Sequence, residues 1–269
     1  MKSLNKYFLK SFVTTIVLLT AFFTTKNVSA YILPLDTIME KNIAQSGRRI
    51  ISVDQDVIFR NGISELVVKE NWLIEGDKNL ILTATGLGPL KDFKINFLYN
   101  NKTKTYIVGQ KFSESVSHEF FERYSSLRSV SAFKTMLQDL NIKPEVRMSR
   151  ADGAISFAIG EPSPVGQFNP QVWIDQDFFR LRKIRTPYES DITFSDYASF
   201  FNDQVSYPKT KKVEWAGHSV LIRVKSVTIK QGASLAIFYP SKLERPTQIN
   251  LNNVGTLAWE IEEFYKRFR

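Results

Sequence analysis

The chain has 269 residues, 43% of them hydrophobic and 13% aromatic, and a formal net charge of +9. It contains no cysteine, which excludes a disulfide framework, thiol nucleophile chemistry and lipid attachment through a cysteine. Stability therefore has to come from the core, and the length is ample for a sizeable one.

Residues 1–30 have the order of a secretory signal peptide. Lys2, Lys6 and Lys10 precede an apolar stretch from Phe12 to Phe23, broken only by Thr14, Thr15 and Thr20, and Val28, Ser29 and Ala30 follow. Cleavage is expected between Ala30 and Tyr31. The apolar run of 12 residues is short of the roughly 20 that a spanning helix needs. The expected organisation is a signal peptide over 1–30 and one domain over 31–269. That domain carries +5 over 239 residues, an ordinary balance for a mildly basic exported protein. The expected location is the periplasm, with secretion as the alternative, and no nucleic-acid partner is expected.

Leu35–Gln45 reads as a helix with Leu35, Ile38, Met39 and Ile43 on one face, Asp36 as N-cap and Ser46-Gly47 as its end. Three hairpins follow. Ile51, Val53, Val57 and Phe59 alternate up to the Asn61-Gly62 turn. Val67–Ile74 and Leu80–Thr85 flank Glu75-Gly76-Asp77, and Phe93–Tyr99 and Thr105–Val108 flank Asn100–Thr103. Mid-chain, Ser117–Tyr124 and Ser131–Leu140 have helical spacing and serines placed to cap them. Strands then resume at 146–149 and 154–159 around Asp152-Gly153, at 171–174 and 178–184 around Asp175-Gln176-Asp177, and at 191–196, 211–216 and 220–228. The tail 254–268 is helical, with Leu257, Ile261, Phe264 and Tyr265 on one side. This rhythm predicts one continuous α+β domain, an antiparallel meander with helices over one face.

One stretch is more specific. "GAISFAIG" (153–160), "NPQVWIDQDFFRLRKI" (169–184), "ITFSDYASF" (192–200), "VSYPKTKKVEWAGH" (205–218) and "VLIRVKSVTIK" (220–230) follow in order. The run resembles the second half of the bacterial periplasmic lipoprotein-sorting carriers, the LolA/LolB-like group. The matching positions are Trp173, Ile174, Asp175, Phe194, Asp196, Tyr197, Tyr207 and Pro208. The resemblance extends over about residues 33–240 and leaves Phe264–Arg269 unmatched. It implies a strongly curved antiparallel sheet, an incomplete barrel, with helices covering its open side and an apolar concave face that receives acyl chains. In that group an arginine inside the cavity helps to hold the lid shut. Arg60 and Arg147 do not align with it, so the role is not transferred.

The lipid-site candidates are apolar. Trp72, Phe97 and Trp173 lie on strands that a curved sheet could aim inward, and Phe120, Phe121, Phe133 and Met136 lie on the helices that could form the lid. Each is equally readable as a plain core residue. Chemistry-bearing patterns are absent. His118-Glu119-x-x-Glu122 lacks the second histidine of a zinc helix and reads as a solvated helix face. Gly86-Leu87-Gly88 lacks the third glycine of a nucleotide loop and reads as a turn. Asp175 and Asp177 read as turn residues, and Asn101-Lys102-Thr103 as a turn rather than a glycosylation site.

The expected function is a non-enzymatic lipid or lipoprotein carrier or binding protein without metal or cofactor. It would be a monomer holding acyl chains in an apolar half-barrel cavity, with inner- or outer-membrane donor and acceptor proteins as partners. The alternative is an envelope interaction or scaffold module that keeps the fold with its cavity filled. What separates the two is whether the inward positions enclose empty volume.

Overall fold

The computed structural model describes residues 32–47, 49–62, 64–200 and 205–269. The expected signal peptide over 1–30 and its expected cleavage site lie outside the described residues. From Leu33 to Arg269 the chain forms one compact unit, built on a thirteen-stranded antiparallel sheet.

The first half supplies β1 (Ile51–Asn61), β2 (Ser64–Glu75), β3 (Asn79–Gly86), β4 (Lys94–Asn100), β5 (Thr103–Val108) and β6 (Gln110–Ser115). The second half supplies β7 (Val146–Ala151), β8 (Ala154–Ile159), β9 (Gln171–Asp175), β10 (Leu181–Arg185), β11 (Asp191–Phe200), β12 (Val205–Trp215) and β13 (His218–Ile229). Their spatial order is β6-β5-β4-β3-β2-β1-β13-β12-β11-β10-β9-β8-β7. Each half is thus a meander of neighbours in sequence, and the pairing of β1 with β13 joins the two. The sheet does not close: β6 and β7 are its free edges, which makes it an incomplete barrel.

Turn chemistry sets the hairpins. Asp152 and Gly153 both have positive φ, 47° and 79°, the backbone that a two-residue hairpin loop requires. At the end of β3, a Cβ on Gly86 would lie 2.2 Å from the Leu90 carbonyl oxygen. Gly86 therefore serves close packing of the short helical turn Gly88–Leu90 on the sheet, and the turn reading of this glycine pair holds.

The connection from β6 to β7 runs between the two free edges, so it spans the open mouth of the sheet. It contains the 3-10 turn Glu122–Ser126 and a helix, Val130–Asp139, whose Ser129 side chain accepts from the Ala132 N–H. Helix α1 (Leu35–Ile43) packs beside it, and we number Val130–Asp139 α2 and the last helix, Leu257–Arg267, α3. One apolar cluster joins the concave face to all three helices through Met39, Val57, Phe121, Phe133, Phe194 and Phe264.

Two expectations are corrected, and one strand is added. Ser117–Tyr124 is not an α-helix but irregular backbone leading into the 3-10 turn. Its aromatics are buried on several sides rather than on one face, which imitates helical spacing. Asp36 does not cap α1: Pro34 holds that position, and Asp36 sits in the first turn, paired with Lys134. Strand β6 has no apolar alternation because every one of its residues is exposed, and the sequence reading has no strand there.

The path after β13 is unusual. Residues 233–243 lie on the convex face, where Phe238 packs with Ile50 and Leu98. The chain then passes between β4 and β5, which pair only at Leu98–Asn100 with Thr103–Thr105. Lys94 and Gln248 exchange backbone hydrogen bonds of 2.7 Å, and the Thr247 N–H donates to the Ile107 carbonyl at 2.7 Å. The tail thus crosses the sheet through the gap between two diverging strands and enters the concave side as α3.

Candidate functional site

The concave face is occupied by α3. Leu257, Ile261, Phe264, Tyr265 and Phe268 are all buried in the main apolar cluster. Phe264 meets Phe59 edge to face at 5.4 Å, Tyr265 lies 5.0 Å from Phe93, and Phe268 lies 5.1 Å from Trp215. These contacts reach strands from both halves of the sheet, so α3 lies along the groove rather than at its rim.

Beneath its end lies a closed polar ring in an otherwise apolar interior. Arg269 donates from Nε to Glu70 Oε1 at 3.0 Å and from Nη2 to Glu70 Oε2 at 3.2 Å. Glu70 also accepts from Gln55 Nε2 at 2.7 Å and Trp72 Nε1 at 3.0 Å. Lys211 donates to Gln55 Oε1 at 3.0 Å and to the Glu122 carboxylate, which also accepts from the Tyr207 hydroxyl at 2.7 Å. Arg269 Nη1 closes the ring 3.8 Å from Glu122 Oε2. The charged side chains of Glu70, Glu122, Lys211 and Arg269 are all fully buried.

The local sequence explains each placement. Val68, Glu70, Trp72 and Ile74 share the inward phase of β2, and Lys211, Val213 and Trp215 share that of β12. Glu122 begins the 3-10 turn over the open mouth. Burial works against the Glu122 charge, but Lys211 and Arg269 hold its carboxyl below the ordinary value. Burial likewise opposes the Arg269 charge, and Glu70 and Glu122 more than offset it, so its pKa rises. Burial lowers Lys211 despite Glu122. Burial and Glu122 push Tyr207 well up, so it remains a hydrogen-bond donor.

A second anchor lies two residues earlier, at the last residue of α3. Arg267 donates to both oxygens of Glu119 at 2.7 and 2.9 Å, and Glu119 also accepts from Ser190 and Thr186. The sequence reading of His118-Glu119-x-x-Glu122 as a solvated face is therefore corrected: both acids are buried and both bind the end of α3. The missed signal was legible in β2, where a lone glutamate interrupts an apolar inward phase.

Six of the seven expected site residues come together. Trp72, Phe97, Phe120, Phe121, Phe133 and Met136 all belong to the main cluster. Phe120 stacks on Tyr99 at 4.2 Å and on Trp72 at 5.8 Å. Trp173 does not join them. Val172 and Ile174 take the core side of β9, so alternation turns Trp173 to the convex face with Ala151 and Ala158. There Lys183 and Arg185 lie over its ring. Neither strand arginine considered in the sequence reaches the interior: Arg60 pairs with exposed Glu65, and Arg147 donates to Gln171. Asp175 does hold its turn, accepting from the N–H groups of Asp177 and Phe178.

Four clefts among the described residues lie elsewhere, the largest of these ≈ 630 Å³ between Arg60, Lys212, His218 and Glu260. Among the described residues no cluster of three or more His, Asp or Glu is placed to hold a metal ion. No helix among them is long and apolar enough to cross a membrane.

No known family model matches the sequence, and no curated protein matches it. Solved structures do match the fold. A LolA superfamily protein from Nitrosomonas europaea superposes with a TM-score of 0.56 at 12% identity, over 79% of this chain and 100% of that one. A domain named for outer-membrane lipoprotein sorting, from Vibrio parahaemolyticus, gives 0.54 at 16% identity over 79% and 98%. A DUF1329 family protein from Desulfovibrio piger gives 0.52 at 13% identity over 78% and 96%. The likeness is one of fold, and it bears out the LolA-like architecture read from residues 153–230.

Proposed function

We propose that this protein, which has the LolA-like fold, is an exported, non-enzymatic carrier or binding protein for a lipid or an acylated lipoprotein. Its cargo site is the concave face now filled by α3. The observation that carries this reading is the position of α3: its apolar face lies lengthwise in the groove, and its covalent connection to the sheet runs through residues 249–256 after the point where the chain crosses the sheet. A groove that holds an apolar helix this way has the shape and chemistry to hold acyl chains. Trp72, Phe97, Phe120, Phe121, Phe133 and Met136 would line it.

The magnitudes permit an exchange. Burying two sixteen-carbon chains gains roughly 25 kcal/mol at about 0.8 kcal/mol per methylene. The five apolar side chains of α3 gain roughly 8–15 kcal/mol by the same scale. On apolar burial alone cargo outweighs α3, and a cargo that also replaces the Arg267 and Arg269 ion pairs could displace it, with α3 re-entering on delivery to a membrane acceptor. Residues 1–30 would direct export and be removed, leaving a single domain that works as a monomer in the periplasm.

A second reading has its own support. The lining residues are almost fully buried with α3 in place, as in a scaffold module with a permanently filled cavity. Native mass spectrometry of the protein purified from the periplasm, followed by organic extraction, separates the two. A lipid or acylated peptide at near one-to-one stoichiometry is the expected result. A bare protein that also fails to take up fluorescent lipids, whether their head groups are cationic, neutral or anionic, would replace the carrier reading with the scaffold reading.

A further inference from the structure

The polar ring constrains what can take the place of α3. Two carboxylates, Glu70 and Glu122, face two cations, Lys211 and Arg269, and all four are buried. Lys211 belongs to the sheet and stays with Glu122 when α3 leaves. Arg269 leaves with the helix. Glu70 is then left without its guanidinium partner, with Gln55 and Trp72 as its neutral donors. Glu119 loses Arg267 in the same step but keeps Ser190 and Thr186, and Lys104, which bonds the Arg269 carbonyl, stays on β5 paired with Glu114. A buried carboxylate without a counter-charge is strongly unfavourable. A purely apolar occupant would fill the groove and leave that charge unmatched.

The surroundings of Arg269 describe what would match it. Its guanidinium lies 5.4 Å from the Trp72 ring and 4.9 Å from the Phe121 ring, two aromatic faces that remain after α3 departs. Two aromatic faces with a carboxylate form a cation-binding pocket, and it opens from an apolar groove. The geometry points to a cargo with a cationic head, an amine or a guanidine, joined to an apolar body. Arg269 occupies that head site in the closed state. This inference rests on the reading of the concave face as the cargo site, and it goes further by naming the head chemistry. General electrostatics works the other way, because the chain carries +9, so a preference for a cation would have to arise at the site.

The test uses three probes of equal chain length, dodecylamine, dodecanol and dodecanoate, titrated below micelle formation into the full chain by calorimetry. The amine is expected to bind at least about tenfold more tightly than the alcohol, which corresponds to about 1.4 kcal/mol, and dodecanoate most weakly. Glu70→Gln is expected to bring amine and alcohol close together. Arg269→Gln, which vacates the head site, is expected to tighten amine binding and not alcohol binding, and it serves if the Glu70 variant does not fold. Equal or tighter binding of alcohol or dodecanoate by the native chain, or an amine preference that survives Glu70→Gln, would overturn the inference while leaving the carrier reading intact. Binding of none of the three would overturn both.

Discussion

Arg269 and Glu70 are separated by 199 residues in sequence, yet their side chains meet at 3.0 Å in the fully buried interior. The contact joins the end of the last helix to the second strand of the sheet. It makes the occupant of the groove a specific partner rather than a loose apolar filling.

Breaking one side of this pair leaves a buried charge. Arg269→Ala is expected to destabilise the protein by about 3–5 kcal/mol in urea unfolding. The double replacement Glu70→Leu with Arg269→Leu removes both charges and is expected to recover most of that loss. Additive losses in the double variant would show that the two residues are not coupled.

Stability should fall on the acid side. The Glu122 carboxyl is held below its ordinary value of 4.5 by Lys211 and Arg269, against the effect of burial. Asp191 is held below 3.8 by Arg185 and Lys183, also against burial. A depressed carboxyl stabilises the fold above its unfolded value, and that contribution is lost as pH drops toward the folded one. Little contribution from these two carboxyls should be lost between pH 7 and about 5, and progressive loss should begin below about 4.5. Glu122→Gln should be less stable at pH 7 and show a shallower acid slope. A slope as steep as that of the native chain would remove Glu122 from the explanation.

The crossing of the sheet depends on Thr247, whose hydroxyl bonds the backbone N–H and carbonyl of Asn96 at 3.1 and 3.2 Å. Thr247→Val keeps the shape and leaves those groups unpaired, at an expected cost of about 1–3 kcal/mol. The β5–β6 hairpin should lose amide protection first, since β5 has little pairing to β4 beyond this point. Unchanged protection there would mean that the tail does not pin the hairpin.

Gly86→Ala places a methyl group against the Leu90 backbone. The expected cost is about 1–3 kcal/mol or more, because backbone rather than a flexible side chain has to move. Thermal melting checks it, and an unchanged midpoint would contradict the close approach.

The meander was legible because its turns carry their own chemistry. Asn61-Gly62, Asp152-Gly153 and Asp175 each specify a local backbone, and the flanking alternation assigns the faces. The helix α3 was legible too, from the spacing of Leu257, Ile261 and Phe264. Its position was not, because local periodicity says that a helix has an apolar face but not which groove receives it. Arg269 reads as one more charged residue until Glu70 is seen to stand alone among Val68, Trp72 and Ile74. Phe120, Phe121 and Tyr124 suggested a helix by spacing, yet their burial comes from neighbours on different sides, Tyr99 for Phe120 and Phe194 for Phe121.

The most direct test of α3 as an exchangeable occupant is hydrogen–deuterium exchange over residues 257–269, with and without an acylated peptide. The expected result is strong protection in the free protein and loss of protection in α3 on binding, while β2 and β12 stay protected. Binding of the peptide with α3 still fully protected would contradict the account, because the groove cannot hold both.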